Sequence, residues 1–199
     1  MKHSALNLSL CALASCLICL CSWIAIPLGG VPMTLQTFGV AFCGFLLGAR
    51  GGVCAVAVYL ALGAVGLPVF AGFGASLAFL AGPTGGFLVG FLLLALLCGL
   101  ADRSRKRATP AGGCSPTEAQ PVSKQCKRRG SFCAIFLSAL GLLACHLLGV
   151  LWFARVTRIS LSQAFLLSSM PYLPKDVLSL LFARLLCQRI RKRLPRSAR

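Results

Sequence analysis

Residues 5–26, ALNLSLCALASCLICLCSWIAI, carry no charged side chain, and apolar runs recur along the rest of the chain. Such runs allow few folds. The hydrocarbon core of a membrane offers no water, so every backbone N–H and C=O must be satisfied internally, by helices or by a closed barrel. A barrel strand reads as about ten residues of alternating polarity, and no such segments are visible here. A spanning helix needs about 20 apolar residues. The chain therefore reads as an all-α polytopic membrane protein, one transmembrane domain with six helices near 5–26, 32–48, 53–67, 87–100, 132–153 and 161–190. The last run is interrupted by Pro171 and Pro174, which break a helix. Lys2 before the first run also fits a signal peptide. That run exceeds the usual apolar core of about 7–15 residues and has no clear A-x-A site, so we read it as a retained span.

The net charge of +17 invites a nucleic-acid reading, which its distribution opposes. Most of the 20 lysines and arginines fall in two runs, Arg103–Arg129 and Arg184–Arg199, each flanking apolar segments. That is how a positive-inside bias looks, and such clusters attract anionic lipid headgroups. With six spans and a cytoplasmic N-terminus, Arg50, both runs and the C-terminus lie inside. The uncharged loops at 27–34 and 68–86 lie outside, and only Arg155 and Arg158 break the rule. Residues 101–131, basic and rich in Pro, Gly and Ser, read as a flexible cytoplasmic linker.

The 12 cysteines are scattered, mostly within apolar runs, where they act as small soft apolar residues. Cys16-x-x-Cys19 has no second pair or histidine at zinc spacing, so no metal site or cofactor is expected. On the first helix Cys11, Ser15 and Cys19 form one stripe of small residues, with Ala12 and Cys16 beside it. Such stripes let a second helix approach closely, either a partner's or another of this chain.

Polar residues within the apolar runs are the functional candidates. Thr34, Gln36 and Thr37 cluster where the second span begins, placed to bond a ligand or, for Thr34, to cap the helix. The segment 68–86, PVFAGFGASLAFLAGPTGG, is too apolar for a solvent loop. Irregular backbone at membrane depth survives only where it is buried or lines a cavity, so this segment is a candidate lid. His146 lies in the fifth span and reads first as a hydrogen-bonded packing residue. Asp176 is one of only three acidic residues, and the other two, Asp102 and Glu118, are assigned to the start and interior of the polar loop. It can favour a helix N-terminus after Pro174. It can also be a functional group, because an ionisable side chain at this depth costs roughly 2.5 kcal/mol or more.

Three stretches between residues 31 and 99, VPMTLQTFGVAFCGFLLGARGG, YLALGAVGLPVFAGFGA and LAGPTGGFLVGF, with YLPKDVLSLLFARLL near the C-terminus, occur in this order. Together they resemble the BioY family, the biotin-specific substrate-binding components of energy-coupling-factor vitamin transporters. The resemblance implies a six-helix bundle of the S-component type in a bacterial inner membrane. It implies biotin as ligand, with a transmembrane coupling protein and a pair of ATPases as partners. The chain itself has no G-x-x-x-x-G-K-[ST] loop, so uptake would draw its energy from those partners. In such families alanines four apart on the first helix meet the coupling protein. Here Cys11, Ala12, Ser15, Cys16 and Cys19 stand on that helix. The family's proline-glycine-aspartate segment with a lysine three residues on is matched at Asp176. Ser179 occupies the lysine position and Lys175 replaces the glycine. Adjacent helix positions point about 100° apart, so Lys175 reaches a site at 176 only by swinging its long stem. Phe87 stands where the family often has tyrosine.

On this resemblance, Asp176 accepts from the ureido N–H groups of biotin, with Thr34, Gln36 and Thr84 adding hydrogen bonds. Phe73 and Phe87 sandwich the rings, and Lys175 meets the carboxylate. An S component for another vitamin and a non-transport scaffold are the alternatives. An enzyme is not expected, since no paired carboxylates, metal cluster or serine–histidine spacing is readable. Asp176→Asn is expected to weaken biotin binding by about 1.5–3 kcal/mol, the scale of a bond to a charged group, as read by calorimetry.

Overall fold

The computed structural model describes residues 2–28, 31–107 and 122–193. Helix α1, Lys2–Trp23, is followed by strands β1, Ala25–Leu28, and β2, Val31–Thr34. Then come α2, Gln36–Val65, the short α3, Leu77–Ala81, α4, Gly85–Arg107, and α5, Val122–Thr157. The chain ends in α6, Leu161–Ser168, and α7, Leu173–Arg193.

In the stretch 27–34, expected as a turn-rich loop, residues 27–28 and 31–34 belong instead to the antiparallel pair of β1 and β2. Pro27 and Pro32 share one rung of its ladder. Bonded and non-bonded rungs alternate in such a pair, so both missing N–H donors fall at one rung. Leu35 N–H donates to the carbonyls of Cys21 and Ile24, tying the hairpin to the end of α1.

Helix α2 contains two of the expected spans as two arms that meet at Gly48. Its φ of 78° and ψ of −179° break the helix in a region that favours glycine. The chain reverses there so sharply that a Cβ on Gly52 would lie 2.8 Å from Gly44 Cα. By length and composition, three helices among the described residues can cross a membrane: Gln36–Val65, Gly85–Arg103 and Phe132–Thr157. Leu8–Trp23 is a shorter apolar helix. With α2 counted as two arms and α7 as the last, the bundle has the six-helix layout of a polytopic α protein. Its core is continuous along the arms of α2, with α1, α4, α5 and α7 around them, and buries Ile18, Val40, Tyr59, Phe70, Leu94 and Leu180.

The structure revises two expectations about the polar segments. Residues 101–107 continue α4 and 122–131 open α5, so these parts of the expected linker are helical; the rest of it is residues 108–121. Those residues, Glu118 among them, and the tail 194–199 lie outside the described ones. Asp102 is not in a loop. It is 8% exposed near the end of α4 and pairs with Arg191 of α7. Arg191 also donates to Phe45 O at 2.5 Å and Leu46 O at 3.2 Å. These carbonyls end the first arm of α2, where a helix leaves acceptors unpaired and favours a cation. One guanidinium therefore joins three helices, opposite the hairpin end.

Asp102→Asn is expected to cost about 1.5–3 kcal/mol, because it weakens a bond to a partly buried cation. A lower midpoint of thermal unfolding in detergent checks this; an unchanged midpoint would show that the pair contributes nothing.

Candidate functional site

At the hairpin end the bundle opens into a cavity with about 550 Å³ of empty volume, mouth included. Several segments build it. The hairpin and the start of α2 give Val31, Thr34, Gln36 and Thr37. The segment between α2 and α4 gives Phe79 and Thr84. Helix α4 gives Phe87 and Phe91, and the α6–α7 corner gives Ser168, Tyr172 and Lys175.

Gln36 is held by its neighbours. Its Nε2 donates to Ser22 Oγ at 3.0 Å and to Tyr59 O–H at 2.5 Å, while Oε1 accepts from Thr34 Oγ1 at 2.9 Å. Both amide hydrogens are thereby used. One lone pair of Oε1 and the acceptor capacity of the Thr34 hydroxyl remain. Both residues line the cavity, so the capacity left to them is that of acceptors. Tyr172 closes the corner, its O–H donating to Val31 O of the hairpin.

Lys175 is the cation of the cavity wall. Its Nζ donates to Thr34 O at 2.6 Å and lies 2.5 Å from Asp176 Oδ1. The stem swings across the helix surface as its length allows, so a neighbour of Asp176 in sequence becomes its partner in space. Asp176 itself is 6% exposed and is not among the cavity-lining side chains. Its Oδ2 lies 3.2 Å from His146 Nε2, and Thr37 is within hydrogen-bonding reach. His146 Nδ1 in turn lies 2.9 Å from Ser169 Oγ. Serine, histidine and aspartate here stand in the order of a nucleophilic triad. Ser169, however, is fully buried and does not line the cavity, so the series orders side chains rather than attacking a ligand.

The expected site residues separate on this geometry. Thr34, Gln36, Thr84, Phe87 and Lys175 come together at the cavity. Asp176 stands one layer behind it. Phe73 does not reach it: with φ of 61°, between Gly72 and Gly74, it is turned outward, 63% exposed, against Trp23 at 5.3 Å. Phe79 takes its place, stacked on Phe70 at 5.1 Å. Ser179, at the family's lysine position, is buried away from the cavity. Tyr172 was missed, although it is one of only two tyrosines and sits between the two prolines of the break.

The first-helix stripe also divides. Cys11, Ser15 and Cys19 are buried, and Ser15 Oγ donates to Ala55 O at 2.8 Å. They serve packing of α1 on α2 and are withdrawn as partner-binding residues. Ala12 and Cys16 face outward. The segment 66–84 is anchored at both ends by indoles: Trp23 Nε1 donates to Pro68 O at 3.0 Å and Trp152 Nε1 to Gly82 O at 2.9 Å.

The sequence pattern of the BioY family matches residues 1–196. The probable biotin transporter BioY of Pyrococcus horikoshii is 30% identical over 186 residues, covering 94% of this chain and 96% of its own. The biotin transporter BioY of Thermotoga maritima is 51% identical over 85 residues, 43% of this chain and 50% of that one. In three dimensions the chain is similar to the crystal structure of an S-component for biotin from an ECF-type ABC transporter. The TM-score is 0.79 at 25% identity, over 97% of this chain and 94% of the other.

Gln36→Leu is expected to leave the Ser22, Tyr59 and Thr34 hydroxyls short of a buried partner, at a cost of about 1–3 kcal/mol. Thermal unfolding in detergent reads this directly, and an unshifted midpoint would mean that the hydroxyls re-pair among themselves.

Proposed function

The chain belongs to the BioY family, and from that premise we propose that it takes up biotin across the cytoplasmic membrane as the substrate-binding component of an energy-coupling-factor transporter. The observation that carries this reading is the match between the cavity's polar groups and the polar ends of biotin. The ureido ring offers two N–H donors, and Gln36 and Thr34, which line the space, keep acceptor capacity unused within the protein. The ring system is apolar, and Phe79 and Phe87 line the cavity. The tail ends in a carboxylate, and Lys175 brings an ammonium to the wall. Thr84 adds a further hydrogen bond. Asp176 acts from behind, holding Lys175, and its own bond to the ligand is not needed in this arrangement.

The hairpin end faces outward in this reading, and both termini are cytoplasmic. The basic runs then lie inside, as the positive-inside rule asks. The segment 66–84, tied by Trp23 and Trp152, covers the mouth. A transmembrane coupling protein and ATPase subunits supply the energy. The outward-facing Ala12 and Cys16 of α1 offer a small-residue surface on which a coupling helix can approach closely.

Equilibrium binding to the detergent-purified protein tests the reading. Biotin is expected to bind, with other vitamins failing to compete. Binding of another vitamin in its place would assign the cavity to a different substrate. Lys175→Met is expected to weaken biotin by about tenfold or more, and to affect biotin amide far less, since a charge-assisted bond is lost only for the acid.

A further inference from the structure

The cation of the cavity is fixed in part by groups that never reach the cavity. A lysine stem is long and flexible, and its ammonium stays in place only where a fixed partner holds it. The Thr34 carbonyl and Asp176 are its partners, and Asp176 is held in turn by His146 of α5. An ionised carboxylate only accepts hydrogen bonds, so His146 Nε2 carries the proton. In the neutral ring Nδ1 is then the acceptor, and the Ser169 hydroxyl, 2.9 Å away, donates to it. Both ring nitrogens are thus committed, which sets the tautomer and the ring plane. The same ring meets Phe87 edge-on at 5.9 Å. His146 is 5% exposed and does not line the cavity, yet it backs both the cation and an aromatic wall of the site.

We propose that His146 is a positioning residue for ligand capture: from α5 it locks the Asp176 carboxylate, which holds the Lys175 ammonium at the cavity wall and so sets the preference for a ligand with a free carboxylate. This rests on the assignment of Lys175 to the carboxylate of biotin. Ser169 supports it by orienting the imidazole. The lysine that the family carries one helical turn further on is absent here. The His146–Asp176 pair supplies what a lysine at 175 needs in order to work from the neighbouring position.

The test compares biotin with biotin amide, bound at equilibrium to the full chain in detergent. His146→Phe keeps a ring against Phe87 but loses both nitrogens. His146→Gln loses the ring but keeps an N–H donor at similar reach. The ratio of acid to amide affinity is expected to fall on the order of tenfold in H146F, with amide affinity unchanged, and to be largely restored in H146Q. In a Lys175→Met background H146F is expected to change the ratio no further, because the two residues act in series. Equal weakening of acid and amide in H146F, with no recovery in H146Q, would reduce His146 to packing and overturn the proposal. Should H146F fail to fold, Ser169→Ala carries the test: it leaves the imidazole without its second partner, and an unchanged ratio there overturns the proposal equally. If K175M alone leaves the ratio unaltered, the assignment of Lys175 fails. If K175M collapses the ratio and H146F does not, only the role of His146 fails.

Discussion

A carboxylate at membrane depth persists only where its charge is answered, and Asp176 is answered from three helices. Lys175 comes from its own helix, His146 from α5, and Thr37 from the start of α2. Removing any one would leave the others partly uncompensated in a medium where that is costly. The cluster therefore does two things at once. It holds the cavity ends of three helices together, and it presents to the cavity a cation whose position is not its own choice. The hairpin belongs to the same construction, because Lys175 also donates to Thr34 O.

The opposite end of the bundle uses the same device for a different purpose. Arg191 joins Asp102 to the carbonyls that end the first arm of α2. Here the charges tie helix ends together, and neither residue lines the ligand cavity. Between the two polar ends the core is nearly all apolar, with small residues letting backbones approach closely. The Gly48 reversal and the buried Cys11–Ser15–Cys19 stripe are instances. The charged groups among the described residues thus gather toward the two ends of the bundle, and each end leaves space beside them: a smaller pocket, lined by Asp102, Arg184, Gln188 and Arg191, lies opposite the hairpin.

In the cavity itself, hydrogen bonding within the protein decides what is left for a ligand. Gln36 spends both its amide hydrogens on Ser22 and Tyr59, so what it has left is acceptor capacity. A free glutamine would offer donors as readily. The hydrogen-bonding character of the wall is therefore set one layer back, by Ser22 and Tyr59 behind Gln36 and by the Asp176 carboxylate behind Lys175.

Much of this was legible in the sequence. Apolar runs dictate helices, because lipid tolerates no unpaired backbone. The Pro171–Pro174 break and the Gly48–Gly52 reversal follow from local backbone chemistry. Thr34, Gln36, Thr84, Phe87 and Lys175 could be picked out because polar or aromatic groups at the ends of apolar runs are conspicuous. The rest depended on contacts between residues far apart in the chain, which no local pattern encodes. Phe73 and Phe79 look alike in sequence, and a positive φ turned one outward while stacking on Phe70 brought the other in. Asp102 read as a loop residue until α4 continued far enough to carry it to Arg191. Asp176 and His146 each stood out alone, but only the packing of α5 beside α7 made them a pair. The sequence by itself determined which side chains had to be sheltered from lipid. The tertiary structure decided which of them shelter one another, because pairing a charge depends on distance in space and not along the chain.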